Sequence, residues 1–549
     1  MTQHAPAPPR VWGFDQRRRT FIPTALLALT IAAIPMRTWP AVIGLVAGAS
    51  AVVIIGVTTL GGFTGPQWLA KRITRWWRGR RERPAEAPAG EDGKRPEVVS
   101  VLAGGEEVGV RWHGGQLVAV LDLHGHPQVP RLLSQRRVLS AATIPVLELE
   151  AALGNLRAAA PSTVDVVFPS ARLARTSYTG TYDNHVAGRP VIGDRRTLLI
   201  ARFDPARAPG YYAPRTKLEN AAAHTMARIR HSLASADCPS TALTGAQLCA
   251  FLEQSAPAVY ERWDHLAPIG EQLVDTVYSV DPAAFTDDRW PDLWSIRAEE
   301  VVPVFRRDHK GRWCGFVRFR TSRPLPAAPL PFLRALPGQQ SAAAAIGRPV
   351  AATAPPITVF APVSSLAGLS LPTGSDGIIL GLTQDGDERL LPLVPGAERV
   401  VSARVDDVYA EQLLLRAAAC GAQVTVISDR PRRWAEVAGS RIAIVTPDVQ
   451  LPAGPNQLHV YDQRRPIDKN DKPPRPPAGG SAAACLGLIE LGGPEPKGNI
   501  TLEQIGEMVT VTVGEDTEQI KAVVDASEVP HLPSARARMA AASAAGGQQ

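Results

Sequence analysis

Two places in this 549-residue sequence gather side chains of the kinds that ligate metals or move protons. The first is Asp122-Leu123-His124-Gly125-His126. Histidines at i and i+2 near the end of a predicted strand share a face and suit one metal ion. The competing reading is a polar turn after a strand, and no further ligand cluster stands nearby in the sequence. The second place holds Asp287, Asp288 and Asp292 beside Trp290 and Trp294. Carboxylates beside aromatic rings fit a sugar site. The more ordinary reading is a surface loop anchored by its tryptophans.

The motifs that would turn such groups into a defined chemistry are missing. The sequence has no G-x-x-x-x-G-K-[ST], no H-E-x-x-H and no G-x-S-x-G. No G-x-G-x-x-G follows a predicted strand. The strand at 423–427 leads into Ser428-Asp429-Arg430-Pro431, which has no glycine to let backbone approach a pyrophosphate. The reading therefore names no catalytic, cofactor-binding or metal residue and no cofactor. Five cysteines (Cys238, Cys249, Cys314, Cys420, Cys485) form no C-x-x-C pair and suit a reducing compartment.

The elements that must position these groups are predicted from periodicity. Residues 107–112 and 116–123 read as a hairpin around His113-Gly114-Gly115. A helix is expected over 146–157, and buried strands over 163–168 and 197–203. Residues 178–196 read as a loop. Thr216 with Glu219, and Thr244 with Gln247, have capping-box spacing ahead of helical patterns. An antiparallel pair is expected at 301–305 and 313–319. Beyond a Pro/Ala-rich stretch, strands at 377–382, 390–393, 423–427, 441–445 and 458–461 alternate with helices at 402–420 and from Pro431 onward. That alternation is the signature of an α/β layer. Late strands are expected at 485–491 and 508–513.

In front of all this lie two apolar runs, 20–36 and 41–63, separated by Arg37, Thr38, Trp39 and Pro40. A membrane-crossing helix needs about 20 apolar residues, with a range of about 17–25. The pair reads as a transmembrane hairpin; a signal peptide followed by one span is the alternative for the first run. Arg17, Arg18 and Arg19 precede it, and Lys71, Arg72, Arg75, Arg78, Arg80, Arg81 and Arg83 follow it. The positive-inside rule then puts both flanks, and everything after residue 63, in the cytoplasm. There the Asn499-Ile500-Thr501 glycosylation spelling loses its meaning. Gly44 and Gly48 form a G-x-x-x-G that allows close helix packing, within the hairpin or against another subunit. Trp68, Arg72, Trp76 and Trp77 belong to a basic amphipathic stretch that suits anionic membrane lipid. The formal net charge of +7 owes much to this segment, so nucleic acid is not needed to explain it.

The arrangement resembles the EccE family, membrane components of the actinobacterial type VII (ESX) secretion system. The likeness rests on the N-terminal hairpin with its arginine-rich tail and on Val108-Gly109-Val110-Arg111-Trp112, Gly115 and Leu117-Val118-Ala119-Val120. It is strong at Arg195-Arg196-Thr197-Leu198-Leu199-Ile200-Ala201-Arg202-Phe203-Asp204-Pro205 and in the alanine-rich helix that follows. It continues through Leu414-Leu415-Arg416-Ala417, Gly421-Ala422, Arg430-Pro431 and Trp434. From Asp468 onward it is weakest. The resemblance implies a non-enzymatic subunit at the periphery of an inner-membrane complex that also contains EccB, EccC and EccD, with EccC the ATPase.

Taken together, the expectation is a mixed α/β (α+β) cytoplasmic region behind a two-helix transmembrane hairpin. Its parts are a cytoplasmic tail (1–19), the hairpin (20–63), a juxtamembrane helix (64–83) and a linker (84–96). A first α/β region (97–322), a Pro/Ala-rich connection (323–357) and a second α/β region (358–529, with a Pro-rich loop at 468–480) follow, and a disordered tail closes the chain (530–549). The expected function is that of a structural inner-membrane subunit of an ESX complex. The alternative is a membrane-tethered enzyme acting on a lipid-linked or nucleotide-sugar substrate.

Overall fold

The structure, a computed structural model, describes residues 12–14, 58–60, 63–64 and 98–546. Within the last range it omits 125–130, 135–137, 256–258, 269–271, 352–359, 395–399, 452–455, 463–483 and a few isolated positions. Two large sheets organise it.

The first sheet has 14 strands, and every pairing in it is antiparallel. Its centre runs Trp313–Thr321, Glu300–Arg307, Thr163–Val167, Leu198–Phe203, Gln116–Leu123, Glu106–His113 and Val98–Ala103. The predicted hairpin forms with Gly114 and Gly115 at its tip, both at positive φ. Leu198–Phe203 is buried at all six positions. Such a strand needs cover on both faces. The helices Val146–Asn155 and Leu218–Ala234 cover one face, while Gly245–Ser255 and Gln340–Ala344 cover the other.

The second sheet has 12 strands. Six are parallel, in the order Ile442–Val445, Gln423–Ile427, Gln457–Asp462, Ala484–Ile489, Val400–Arg404 and Ile500–Ile505. The antiparallel strands Met508–Val513, Asp516–Lys521, Ile378–Leu382 and Glu388–Leu391 extend it. The helix Asp407–Ala419 is buried at every position after the first. Asp406 caps it by accepting the Tyr409 N–H at 2.8 Å, and Gly421 ends it at φ +94°.

Several expectations are corrected. The strands Arg131–Leu133 and Val138–Ser140 lie early in the chain, yet they join the edge of the second sheet beside Glu388–Leu391. The Pro/Ala-rich connection is no linker: Leu333–Ala335 pairs with Val274–Val280, and Phe332, Leu336 and Ile346 are buried. The two regions therefore share elements, and the boundary at 323–357 does not separate them. The expected loop at 178–196 contains the helix Thr179–Val186, because Tyr178, Tyr182 and Val186 sit at i, i+4 spacing and are all buried. The expected tail contains the helix Pro533–Gly546, whose alanines favour that state. Residues 400–404 form a strand, so the helix begins later than the expected 402. Lys217 is the N-cap of Leu218–Ala234 without a side-chain bond, and Glu219 accepts from Trp112 Nε1; Thr216 of the expected capping box lies outside the described residues. The Thr244–Gln247 box does form: Thr244 N–H donates to Gln247 Oε1 at 2.9 Å, and Gln247 N–H to Thr244 Oγ1 at 3.3 Å.

No helix among the described residues is long and apolar enough to cross a membrane. Most of the expected hairpin, the juxtamembrane stretch with Trp68, Arg72, Trp76 and Trp77, and Gly44 and Gly48 lie outside the described residues. Thr58–Leu60 is a strand rather than the end of the second span, paired with Phe63–Thr64 and with Trp12–Phe14. Trp12–Phe14, within the expected tail, is thus a strand.

Candidate functional site

Several of the groups singled out for chemistry are engaged in the fold. Asp122, near the end of Gln116–Leu123, accepts from Arg196 Nη2 at 2.6 Å and Nε at 3.2 Å. His124 Nε2 pairs with Thr241 Oγ1 at 2.8 Å, and its Nδ1 lies 4.0 Å from Asp122. His126 lies outside the described residues. Asp287 accepts the Ser370 N–H and hydroxyl, both at 2.7 Å, while Asp292 pairs with Arg289. Trp290 stands edge-on to Phe168, Phe285 and Phe305. Among the described residues, no cluster of three or more His, Cys, Asp or Glu could hold a metal ion.

Parallel α/β sheets bind ligands beyond the carboxyl ends of their strands. Here that edge carries a side-chain network of its own. Asp462 accepts from Ser428 Oγ at 2.8 Å and from Trp434 Nε1 at 3.0 Å. Arg430 stands 3.6 Å from both Asp462 and Glu490.

The most heavily built polar sites are buried. In the first sheet, Arg306 grips Asp165 with Nε and Nη2 at 2.6 and 2.7 Å, and Arg202 Nη2 stands 2.9 Å from the same carboxylate. Gly347 N–H adds a bond at 2.9 Å. Burial would raise the Asp165 pKa, but the two guanidinium groups prevail and hold it well below the usual carboxylate range. Burial pushes Arg202 down to about 10 despite Asp165.

The second buried site fastens the two regions together. Glu528 accepts from Arg416 Nε and Nη2 at 2.9–3.0 Å, from Gln412 Nε2 at 2.8 Å and from the Tyr178 hydroxyl. Arg416 also reaches the Ile379 carbonyl at 2.7 Å. Burial favours the neutral Glu528, yet Arg416 outweighs it and the pKa falls below the ordinary value. Nearby, Arg195 donates to Asp376 Oδ1 at 2.6 Å and to the Gly374 carbonyl at 2.7 Å, joining 191–205 to 373–377.

Residues 191–280 match the family model of EccE, the type VII ESX secretion system translocon family. The chain is 27% identical to the ESX-1 secretion system protein EccE1 of Mycolicibacterium smegmatis over 430 residues, covering 76% of this chain and 84% of that protein. It is 25% identical to EccE1 of Mycobacterium tuberculosis over 445 residues, covering 78% and 86%. The chain is thus similar to EccE proteins along about three quarters of its length. The segment matched by the EccE model carries Arg195 and Arg202 and the helix Leu218–Ala234. It thus holds one partner of the Asp165 cluster and one of the Arg195–Asp376 pair.

Sequence reasoning passed over these buried ions. A signal was present: Asp165 interrupts TVDVV, Arg202 interrupts LLIARF and Arg416 interrupts a leucine- and alanine-rich run. An ionisable residue within an apolar run must find a buried partner or a wet surface.

Proposed function

We propose that this chain is a structural, membrane-anchored subunit of an ESX secretion complex. The observation that carries the reading is the match to EccE1 proteins along about three quarters of the chain. The engagement of His124, Asp122, Asp287 and Asp292 in local bonds supports a non-catalytic role. EccB, EccC and EccD are the proposed partners, with energy supplied by EccC. The apolar runs 20–36 and 41–57 form the anchor, the second run being bounded by the strand Thr58–Leu60. The length left from 41 to 57 still lies within the range of about 17–25 residues that can span a bilayer. Both flanks face the cytoplasm, and Trp68, Arg72, Trp76 and Trp77 rest on anionic lipid.

The test is secretion from cells whose chromosomal copy carries alanine at His124, His126, Asp287 or Asp288. Secretion is expected to stay near normal for each folded, assembled variant, whereas deletion of the whole chain abolishes it. Complete loss from a well-assembled His126→Ala protein would sink the structural reading in favour of a metal site or an enzyme acting on a lipid-linked or nucleotide-sugar substrate.

A further inference from the structure

A cleft of about 470 Å³ opens beside the first sheet, and Arg441 and Asn456 of the second region are among its lining residues. That volume falls within the range of about 300–1,000 Å³ typical of small-molecule sites. Its floor is apolar, with Val277, Val304 and Phe316 among the lining side chains. Its charge is lopsided: six arginines but only three carboxylates line it.

The arginines differ in what they hold. Arg320 binds Asp275 through Nε at 2.8 Å and Nη2 at 3.1 Å. Arg318 donates through Nη2 to Glu300 at 3.0 Å, while its buried Nε bonds to no described residue. Arg348 is 7% exposed, and its buried Nε and Nη2 likewise have no hydrogen-bond partner among the described residues. Nε and Nη2 make up one side of the guanidinium fork. They are the same two atoms through which Arg306 holds Asp165 and Arg320 holds Asp275. In Arg348 no described carboxylate is hydrogen-bonded to that fork.

The backbone bearing Arg348 is fixed. Arg202 donates to the carbonyls of Arg348 and Val350, each at 2.7 Å, and Gly347 N–H donates to Asp165. The buried Asp165 cluster thereby sets one wall of the cleft. Burial, followed by the nearby positive charge of Arg318, pushes the Arg348 guanidinium down to about 10. It is still charged at neutral pH. A buried cation with unused donors is costly unless an anion joins it, and a planar fork suits a carboxylate or phosphate bidentately.

We propose that this cleft binds a small organic anion, a phosphate or carboxylate group on an apolar body, with the anionic group held by Arg348 and Arg318. The body lies on the floor formed by Val277, Val304 and Phe316. The Arg348 fork is closed off from bulk water in the present conformation, so a turn of its terminal torsions brings it to the ligand. This site goes beyond the assembly role and does not depend on it.

The experiment is calorimetric titration of the full-length protein, purified in neutral detergent in chloride buffer. The probes are phenyl phosphate, inorganic phosphate and benzyl alcohol. Phenyl phosphate should bind saturably at millimolar concentration, inorganic phosphate roughly tenfold more weakly, and benzyl alcohol not at all. Arg348→Met should weaken phenyl phosphate binding roughly tenfold or more. Without any probe, the same variant should melt no lower than the unaltered protein, since it removes an unpartnered buried charge. Absence of saturable phenyl phosphate binding would overturn the proposal. So would undiminished binding by Arg348→Met, or a lowered melting temperature that marks Arg348 as a structural brace.

Discussion

Replacing Glu528 by alanine should be among the most damaging single changes to this fold. Its side chain is fully buried and serves Arg416, Gln412 and Tyr178 together. Once the carboxylate is gone, the partners that remain to Arg416 among the described residues are neutral, the carbonyls of Ile379 and Val523 among them, at 2.7 and 3.2 Å. Removing one partner of a buried ion pair costs about 3–5 kcal/mol. At about 2–4 °C per kcal/mol, a figure for units of 150–250 residues, the melting temperature should fall by roughly 6–20 °C. The helix Thr179–Val186 should become sensitive to protease, because Tyr178 at its start is one of the groups released. Pairing Glu528→Leu with Arg416→Met should recover most of the loss, since an apolar pair needs no counter-charge. The pH dependence has a definite sign. The folded Glu528 carboxyl titrates below its unfolded value of about 4.3. Its contribution is therefore complete above that value and is lost as pH falls through the lower, folded one. Glu528→Ala should accordingly flatten the acid limb of a stability–pH curve while lowering it at pH 7. Thermal melting of the full-length protein in detergent reads both effects. A loss under about 1 kcal/mol would refute the assigned role of this junction.

Three further outcomes are expected. Gly377→Ala should destabilise by about 1–3 kcal/mol or more, since φ is +96° and the new Cβ would stand 2.2 Å from the Leu391 carbonyl carbon. Gly386→Ala, at φ +83° in open space, should cost less, and equal melting temperatures for the two variants would contradict the steric argument. A cysteine at Thr38 should react with an impermeant thiol reagent in intact cells and one at Gly90 should not; the reverse labelling pattern would invert the proposed topology. Leucine at both Gly44 and Gly48 keeps the span apolar but removes close packing. The variant should insert yet fail to co-purify with other secretion subunits, and normal co-purification would confine the glycines to packing within the proposed hairpin or locate attachment in the residues from 97 onward.

Local rules carried much of the fold and little of its polar interior. The Gly114-Gly115 hairpin, the Thr244–Gln247 capping box and the β–α alternation from Val400 to Ile489 were legible because each depends on neighbours in sequence. The pairing of Arg131–Leu133 with Glu388–Leu391 was not, because short strands at a sheet edge carry no record of so distant a partner. The helix Thr179–Val186 was missed because Gly180, Thr181 and Asn184 mask three well-spaced buried side chains. The same holds for chemistry. Acidic and histidine-bearing clusters drew notice, yet Asp122, His124, Asp287 and Asp292 are taken up by ordinary side-chain and backbone bonds. The buried ions were hidden by an apolar setting, each partner lying far away in sequence, as Glu528 lies from Arg416. The cleft arginines are scattered over strands and loops, so no spacing reveals them.

The proposed role of the chain is assembly within an ESX membrane complex. Gentle detergent extraction from native membranes, followed by native sizing and identification of co-purifying chains, tests it most directly. The account predicts that the full-length protein migrates in a large species together with the secretion ATPase and other membrane subunits. Migration of the intact, folded protein alone, while those subunits assemble at full size without it, would contradict the account.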